Sequence, residues 1–342
     1  MPAAEDQLPP LEELLERTRI VAIPTRTRFR GVTVREAAIL EGPNGASEFS
    51  PFVEYGDREA ASWLAAAVEY GWGETPPLRR SRIAVNATVP AVQAAEVPEV
   101  LARFDGCRTA KVKVAERGQR LVDDVERVRA VREAMGDGAL VRIDANGGWT
   151  VDEAVTALRA LAEFDLDYAE QPCASVEELV EVRRRLALGD EGGAGTTPVR
   201  IAADESVRKA DDPLAVARAG AADLLIVKAQ PLGGIARALG IIERAGLPVV
   251  VSSALDTSLG IGMGRHLAAA LPDDALAGAC GLGTVALLAG DVARDPLLPV
   301  GGEIEVRRAI LDPSSLSRYA AAPERARWWR ERIARCHALL GA

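Results

Sequence analysis

The sequence predicts an α/β fold: a (β/α)8-type barrel with an α+β capping domain built from the N-terminal region and the C-terminal segment. Three observations carry this prediction. Short β-branched runs recur eight times after residue 81, and stretches of helical periodicity fill the gaps between them. The first run ends in "NATVPA", with none of the glycines that a doubly wound nucleotide-binding sheet places after its first strand. The first 80 residues have a different rhythm, with strand-like segments that meander before a helix begins.

In chain order, the capping domain takes residues 1–80. An acidic helix is expected at 11–17, then strands at 19–23, at 32–41 and around Phe49. The turn "EGPNGA" separates the last two. A helix follows at 57–69. The barrel takes residues 81–299, with candidate strands at 82–87, 109–114, 140–145, 166–171, 199–205, 222–229, 247–254 and 276–282. Leu121, Val125, Val128, Val131 and Met135 keep helical spacing, as do Val151, Val155, Leu158 and Leu161. Thr150 with Glu153, and Ser175 with Glu178, have the spacing of capping boxes. The glycine-rich "GDEGGAG" (189–195) precedes a strand and reads as a surface loop. Residues 300–342 turn strand-like and then helical, and are expected to pack back on the N-terminal module.

Composition narrows the function classes. The chain has 342 residues and a formal net charge of −9, which disfavours an electrostatic nucleic-acid surface. It contains no run of about 18 apolar residues, so no transmembrane helix is expected. The acidic N-terminus does not read as a signal peptide. Cys107, Cys173, Cys280 and Cys336 are far apart, which fits a reduced cytoplasmic protein better than a disulfide framework or a zinc site.

In a barrel enzyme the chemistry sits where strands run into the βα loops. Reading those ends in order gives Lys111 and Lys113, Asp144, Glu170, Asp204 with Glu205, Lys228, Ser252 and Ser253, and Gly281 to Thr284. Barrel strands are usually apolar throughout. Charges at one end of five strands therefore point to a site; the competing reading is mutual ion pairing in a non-catalytic barrel. Three carboxylates without a nearby His or Cys suit a hard cation, Mg²⁺ or Mn²⁺. Neither His266 nor His337 lies at a strand end, which leaves lysine as proton carrier. Lys111 and Lys113 share one face of a strand about 7 Å apart. At an effective dielectric near 20 their repulsion costs about 2 kcal/mol, or roughly 1.5 pK units, which lowers the pKa of a base.

"KVK", "RIDANGGW", "YAEQP", "AADES", "IVKAQPLGG" and "SSALDTSLG" fall in the order and at the strand ends of the enolase superfamily, and the chain most resembles its muconate-lactonizing subgroup. The resemblance covers nearly the whole chain and implies a modified (β/α)7β barrel. It implies that Asp144, Glu170 and Asp204 hold Mg²⁺, which binds a substrate carboxylate and stabilises the enediolate. Lys113 is then the general base, Lys111 tunes it, and Lys228 stabilises the enolate from across the ring. Ser252, Ser253, Gly281 and Thr284 are implied to hold a succinyl tail, and Arg28 and Phe29, the first two residues of "RFRG" (28–31), to close a lid. Asn146 and Glu205 would support the ligands. The partner is a small-molecule carboxylate. Within the subgroup the motifs favour the dehydratase of menaquinone biosynthesis over N-succinylamino acid racemases, dipeptide epimerases and muconate cycloisomerases. Three positions depart from the subgroup's pattern: Asp256 in place of Glu, Gly283 in "GLGT" in place of Asp, and Pro231 where racemising relatives often carry Arg.

Overall fold

The computed structural model describes residues 8–29, 31–188, 199–208 and 212–341; the "GDEGGAG" loop lies outside them. The N-terminal module starts with α1 (Leu11–Glu16). It continues in an antiparallel sheet of β1 (Thr18–Phe29), β2 (Val32–Gly42) and β3 (Gly45–Phe49), ordered β1-β2-β3. The sheet packs against α2 (Asp57–Trp72), and the approach is close: a Cβ on Gly42 would lie 2.1 Å from the Gly71 carbonyl oxygen. Glycine is required there because no side chain fits between strand and helix.

The barrel follows. After β4 (Arg82–Ala84), β5 (Ala87–Val89) starts the parallel sheet and is joined through α3 (Val97–Leu101) to β6 (Thr109–Lys113). Then come α4 (Leu121–Met135), β7 (Leu140–Asp144), α5 (Val151–Leu161), β8 (Leu166–Glu170), α6 (Val176–Leu188) and β9 (Arg200–Ala203). The short α7 (Glu205–Arg208) and α8 (Ala215–Arg218) lead to β10 (Leu224–Val227), α9 (Ile235–Ala245), β11 (Val249–Val251) and α10 (Ser258–Ala270). The parallel sheet has seven strands in sequential order, each crossover advancing one strand in the same direction, as in a barrel. Both anticipated capping boxes form. Thr150 and Glu153 exchange bonds at the start of α5, and Ser175 and Glu178 at the start of α6.

Two expected strands take another form. The run 82–87 divides: β4 leaves the barrel to pair antiparallel with β12 (Glu303–Glu305). The run 276–282 is no continuous strand. It touches its neighbours by isolated bridges, Val249 with Leu276, Ser252 with Gly281, and Val85 with Cys280. Gly278 at φ +93° breaks the extended backbone there. These bridges still join the β11 edge to the β4–β5 segment, so the sheet curls round with one irregular stave.

The chain ends in α11 (Pro313–Arg318) and α12 (Pro323–Leu340), and α12 lies on α2 and β1. Trp329 of α12 is fully buried, meets Phe49 edge-on at 5.7 Å, and donates its indole N–H to Glu36 at 2.9 Å. The N-terminal module is tied to the barrel by Glu48 of β3. This buried carboxylate accepts from the backbone N–H groups of Thr257 (3.1 Å) and Gly260 (3.2 Å) at the start of α10, where a helix favours negative charge. Burial, then the charge of Asp256, pushes the Glu48 carboxyl up to about 7. Among the described residues no helix is long and apolar enough to cross a membrane.

Replacing Trp329 by Ala empties the junction between α12 and the N-terminal sheet and orphans the bond to Glu36. Urea denaturation should show a loss of about 3–5 kcal/mol.

Candidate active site

Successive side chains of a strand alternate between faces, so residues two apart point the same way. Tyr168, Ala202, Leu224, Ile226 and Val250 form an apolar cluster apart from the main core, lining the barrel interior. Two residues beyond four of these positions stand Glu170, Asp204, Lys228 and Ser252. The pleat that turns the apolar set inward also turns these polar groups inward, one layer higher. Register sets them side by side: Lys113 is paired with Asp144, and Asp144 with Glu170. All of them are at most 7% exposed.

The buried charges meet directly. Lys111 Nζ lies 3.1 and 3.0 Å from the two Glu170 oxygens and 3.1 Å from Asp144 Oδ2. Lys113 donates to that same Asp144 oxygen and to Asn146 Oδ1 at 2.7 Å. Lys228 donates to Asp204 Oδ2, and Arg208 Nε to Asp204 Oδ1 at 3.0 Å. Burial works against the Lys111 ammonium, but Glu170 and Asp144 outweigh it and hold that group well above the usual lysine range. Burial likewise opposes charge on Asp144 and Asp204. The lysines beside them, with Arg208 at Asp204, prevail and hold both carboxyls below the usual range. Glu170 goes the other way: burial, then Asp144, pushes it up to about 8. This corrects the simple like-charge picture of the lysine pair. Lys111 is neutralised by two carboxylates, and both lysines share one of them.

A narrow cavity opens above the ring. Its volume is about 480 Å³. Lys111, Lys113, Asp144, Asn146 and Lys228 form one part of its wall, and Ser252, Ser253, Gly281 and Thr284 another. Ser253 Oγ donates to the Gly281 carbonyl at 2.7 Å and lies 2.8 Å from Thr284 Oγ1. Phe29 lies with its ring centre 5.4 Å from Lys113 Nζ. Glu170 and Asp204 sit below the lining, and Arg28 stands outside, on an adjoining outer pocket. Glu205 is reached by Asn146 Nδ2 at 3.3 Å and by Arg208 at 2.6 Å.

Several lining residues escaped the sequence reading. Phe52, Tyr55 and Trp63 come from the N-terminal module, and Arg208 and Thr88 from the barrel. Arg208 carried a signal, since it stands four residues after Asp204 and reaches back one helical turn. Gln171 is also involved. Its fully buried amide accepts from the Asp204 and Ser206 N–H groups at 2.9 and 3.2 Å and donates to Ser206 Oγ at 2.7 Å. It thereby fixes the end of β9 against that of β8.

The donor set fits a hard cation by kind: three buried carboxylates, all oxygen, with the raised Glu170 marking crowded negative charge. As they stand, ammonium groups take the oxygens a cation would use, and no group of three acidic, His or Cys side chains among the described residues is gathered to hold an ion.

Comparison with known proteins supplies the family. A model described as "Enolase C-terminal domain-like" matches residues 93–310, and one described as "Enolase N-terminal domain-like" matches residues 20–71. An o-succinylbenzoate synthase of Mycobacterium tuberculosis (strain ATCC 25618 / H37Rv) is 55% identical over 334 residues, 97% of either chain. One of Mycolicibacterium smegmatis is 54% identical over 334 residues, 97% of this chain and 99% of its own. Among solved structures, 2-chloromuconate cycloisomerase from Rhodococcus opacus 1CP aligns with a TM-score of 0.72 at 23% identity, over 89% of this chain and 98% of its own. The L-Ala-D/L-Glu epimerase of Bacillus subtilis aligns at 0.69 and 23%, over 86% and 96%. Those two likenesses speak for the fold, and the mycobacterial identities for the nearer kinship: the chain belongs to the enolase superfamily, in the family of the o-succinylbenzoate synthases.

Proposed function

We propose that the chain is a lyase that dehydrates 2-succinyl-6-hydroxy-2,4-cyclohexadiene-1-carboxylate to 2-succinylbenzoate in menaquinone biosynthesis. The near full-length identity to o-succinylbenzoate synthases supports the reaction. The observation that carries the chemistry is the pair of buried lysines, Lys113 and Lys228, on the wall of one narrow cavity with serine and threonine hydroxyls. The step removes the proton α to the ring carboxylate and expels the ring hydroxyl as water, leaving an aromatic product.

In this reading Lys113 acts as the neutral amine: it takes the α-proton, and the ammonium so formed returns it to the departing hydroxide on the same face. Lys228 offers positive charge to the carbon framework as negative charge develops on it. Asn146 Oδ1 accepts from Lys113 at 2.7 Å and orients it, and the Phe29 ring centre stands 5.4 Å from its nitrogen. Ser252, Ser253, Gly281 and Thr284 hold the succinyl tail. Enolase-superfamily members are typically divalent-metal dependent. Mg²⁺ held by Asp144, Glu170 and Asp204 would supply the positive charge that lets the substrate carboxylate accept electrons. Asn146 and Glu205 would steady that ligand set through the bond between them. The same two lysines would also serve a racemase, which needs a base on either face; N-succinylamino acids in D₂O separate that activity by α-deuteration without dehydration.

Two outcomes test the reading. Lys113→Ala should lower kcat by about 10²–10⁴-fold on the cyclohexadiene. Activity retained in that variant would remove Lys113 from the role of base. After EDTA treatment, added Mg²⁺ should restore turnover and raise the melting temperature, with about 2.7 kcal/mol gained at a hundred times Kd. A melting temperature indifferent to Mg²⁺ would instead support an ion-paired mouth without metal.

A further inference from the structure

The cavity above the ring has an anteroom. Directly outside it lies a second pocket of about 930 Å³ that shares Phe29, Lys113 and Asn146 with the inner one. Arg28, from the end of β1, stands on one side of it, and Arg117, from the loop after β6, on another. Both are exposed, and neither guanidinium has a hydrogen-bond or ion-pair partner among the described residues. Glu116 is the one acidic side chain on the wall. Two unneutralised guanidiniums from different modules thus face one opening in a protein of net charge −9.

The loop that carries Arg117 is held firmly. Ala115 takes a left-handed conformation, φ +59°, which an L-residue keeps only under constraint. Its N–H donates to Asp124 Oδ2 at 3.0 Å. Fully buried Arg127 donates to Asp124 Oδ1 and the Lys113 carbonyl, both at 2.8 Å, to the Val92 carbonyl at 2.6 Å, and to Gln119 Oε1. Gln119 in turn donates to the Ala91 carbonyl at 2.9 Å. One buried guanidinium therefore fixes the strand end that bears Lys113 and the loop that bears Arg117.

We propose that Arg28 and Arg117 form a receiving site for a carboxylate of the incoming dianion, at the mouth and ahead of the reaction site. This deepens the dehydratase reading and rests on it for the identity of the substrate, which carries a ring carboxylate and a succinyl carboxylate. A dianion approaching an acidic protein is repelled. At physiological ionic strength charges act over about 8 Å, so the groups at the opening decide its local concentration. Guanidinium is suited to the task, since its planar donors match a carboxylate. Lys113 is engaged by Asp144 and Asn146, which leaves capture to the two arginines. The inner hydroxyls hold the tail once it has passed.

The test uses Arg28→Gln/Arg117→Gln in the full chain, with Arg120→Gln as a control on a neighbouring exposed arginine outside this pocket. At low salt the double variant should lose about tenfold in kcat/KM through KM, and the fall of wild-type kcat/KM with added salt should flatten. Calorimetry should show 2-succinylbenzoate binding weakened to a similar degree and the monoanion benzoate weakened less, with Arg117→Lys restoring part of the loss. Unchanged kcat/KM and unchanged affinity for 2-succinylbenzoate would overturn the proposal. A wild-type protein that fails to turn over the cyclohexadiene would sink the dehydratase reading. The receiving site is then decided by 2-succinylbenzoate binding alone, and it falls if the double variant binds as tightly as wild type.

Discussion

Asp144 is ion-paired with two lysines through one oxygen, at 1% exposure, and the barrel mouth depends on keeping that buried charge balanced. A buried ion without partners is prohibitively costly. The ring meets this constraint residue by residue: Lys111, Lys113, Lys228 and Arg208 stand against Asp144, Glu170, Asp204 and Glu205. Any reaction here must respect the same balance. On the dehydratase reading a dication and a dianionic substrate enter together and add no net charge. The lysines would then exchange carboxylate partners for substrate without leaving a buried charge facing apolar walls.

The strand pleat converts this constraint into geometry. The ring exists because charged residues follow the interior apolar ones at a spacing of two, at one end of consecutive strands. Gln171 then fixes the height of β9 against β8, and Arg127 fixes the strand end of Lys113. Polar groups that are themselves fully satisfied position the reactive ones, as a site with little room for error demands.

Much of this was legible in the sequence, and the gaps have physical causes. The parallel strands and the capping boxes are local features, set by periodicity and by side chains three residues apart. The eighth stave was misread because "LAGACGL" has the composition of a strand, while Gly278 turns its backbone to a positive φ. The run 82–87 was read whole because nothing within it announces that Glu303–Glu305, more than 200 residues later, claims its first half. Lys111 was read as a repelling neighbour because a strand shows its own spacing and conceals what the next two strands bring beside it. Phe52, Tyr55 and Trp63 were invisible as cavity residues for the same reason: only the docking of the N-terminal module carries them there.

That docking runs through Glu48. The helix whose amides it receives begins a few residues after Ser252 and Ser253, on the cavity wall. A change in the N-terminal sheet is therefore felt at the stretch of cavity wall that Ser252 and Ser253 form. The junction also makes the two modules depend on each other: the first turn of α10 relies on a carboxylate that the N-terminal sheet supplies. A chimera spliced near residue 80 that brought an apolar side chain to position 48 would leave the first turn of α10 with unmet N–H groups in a dry interior.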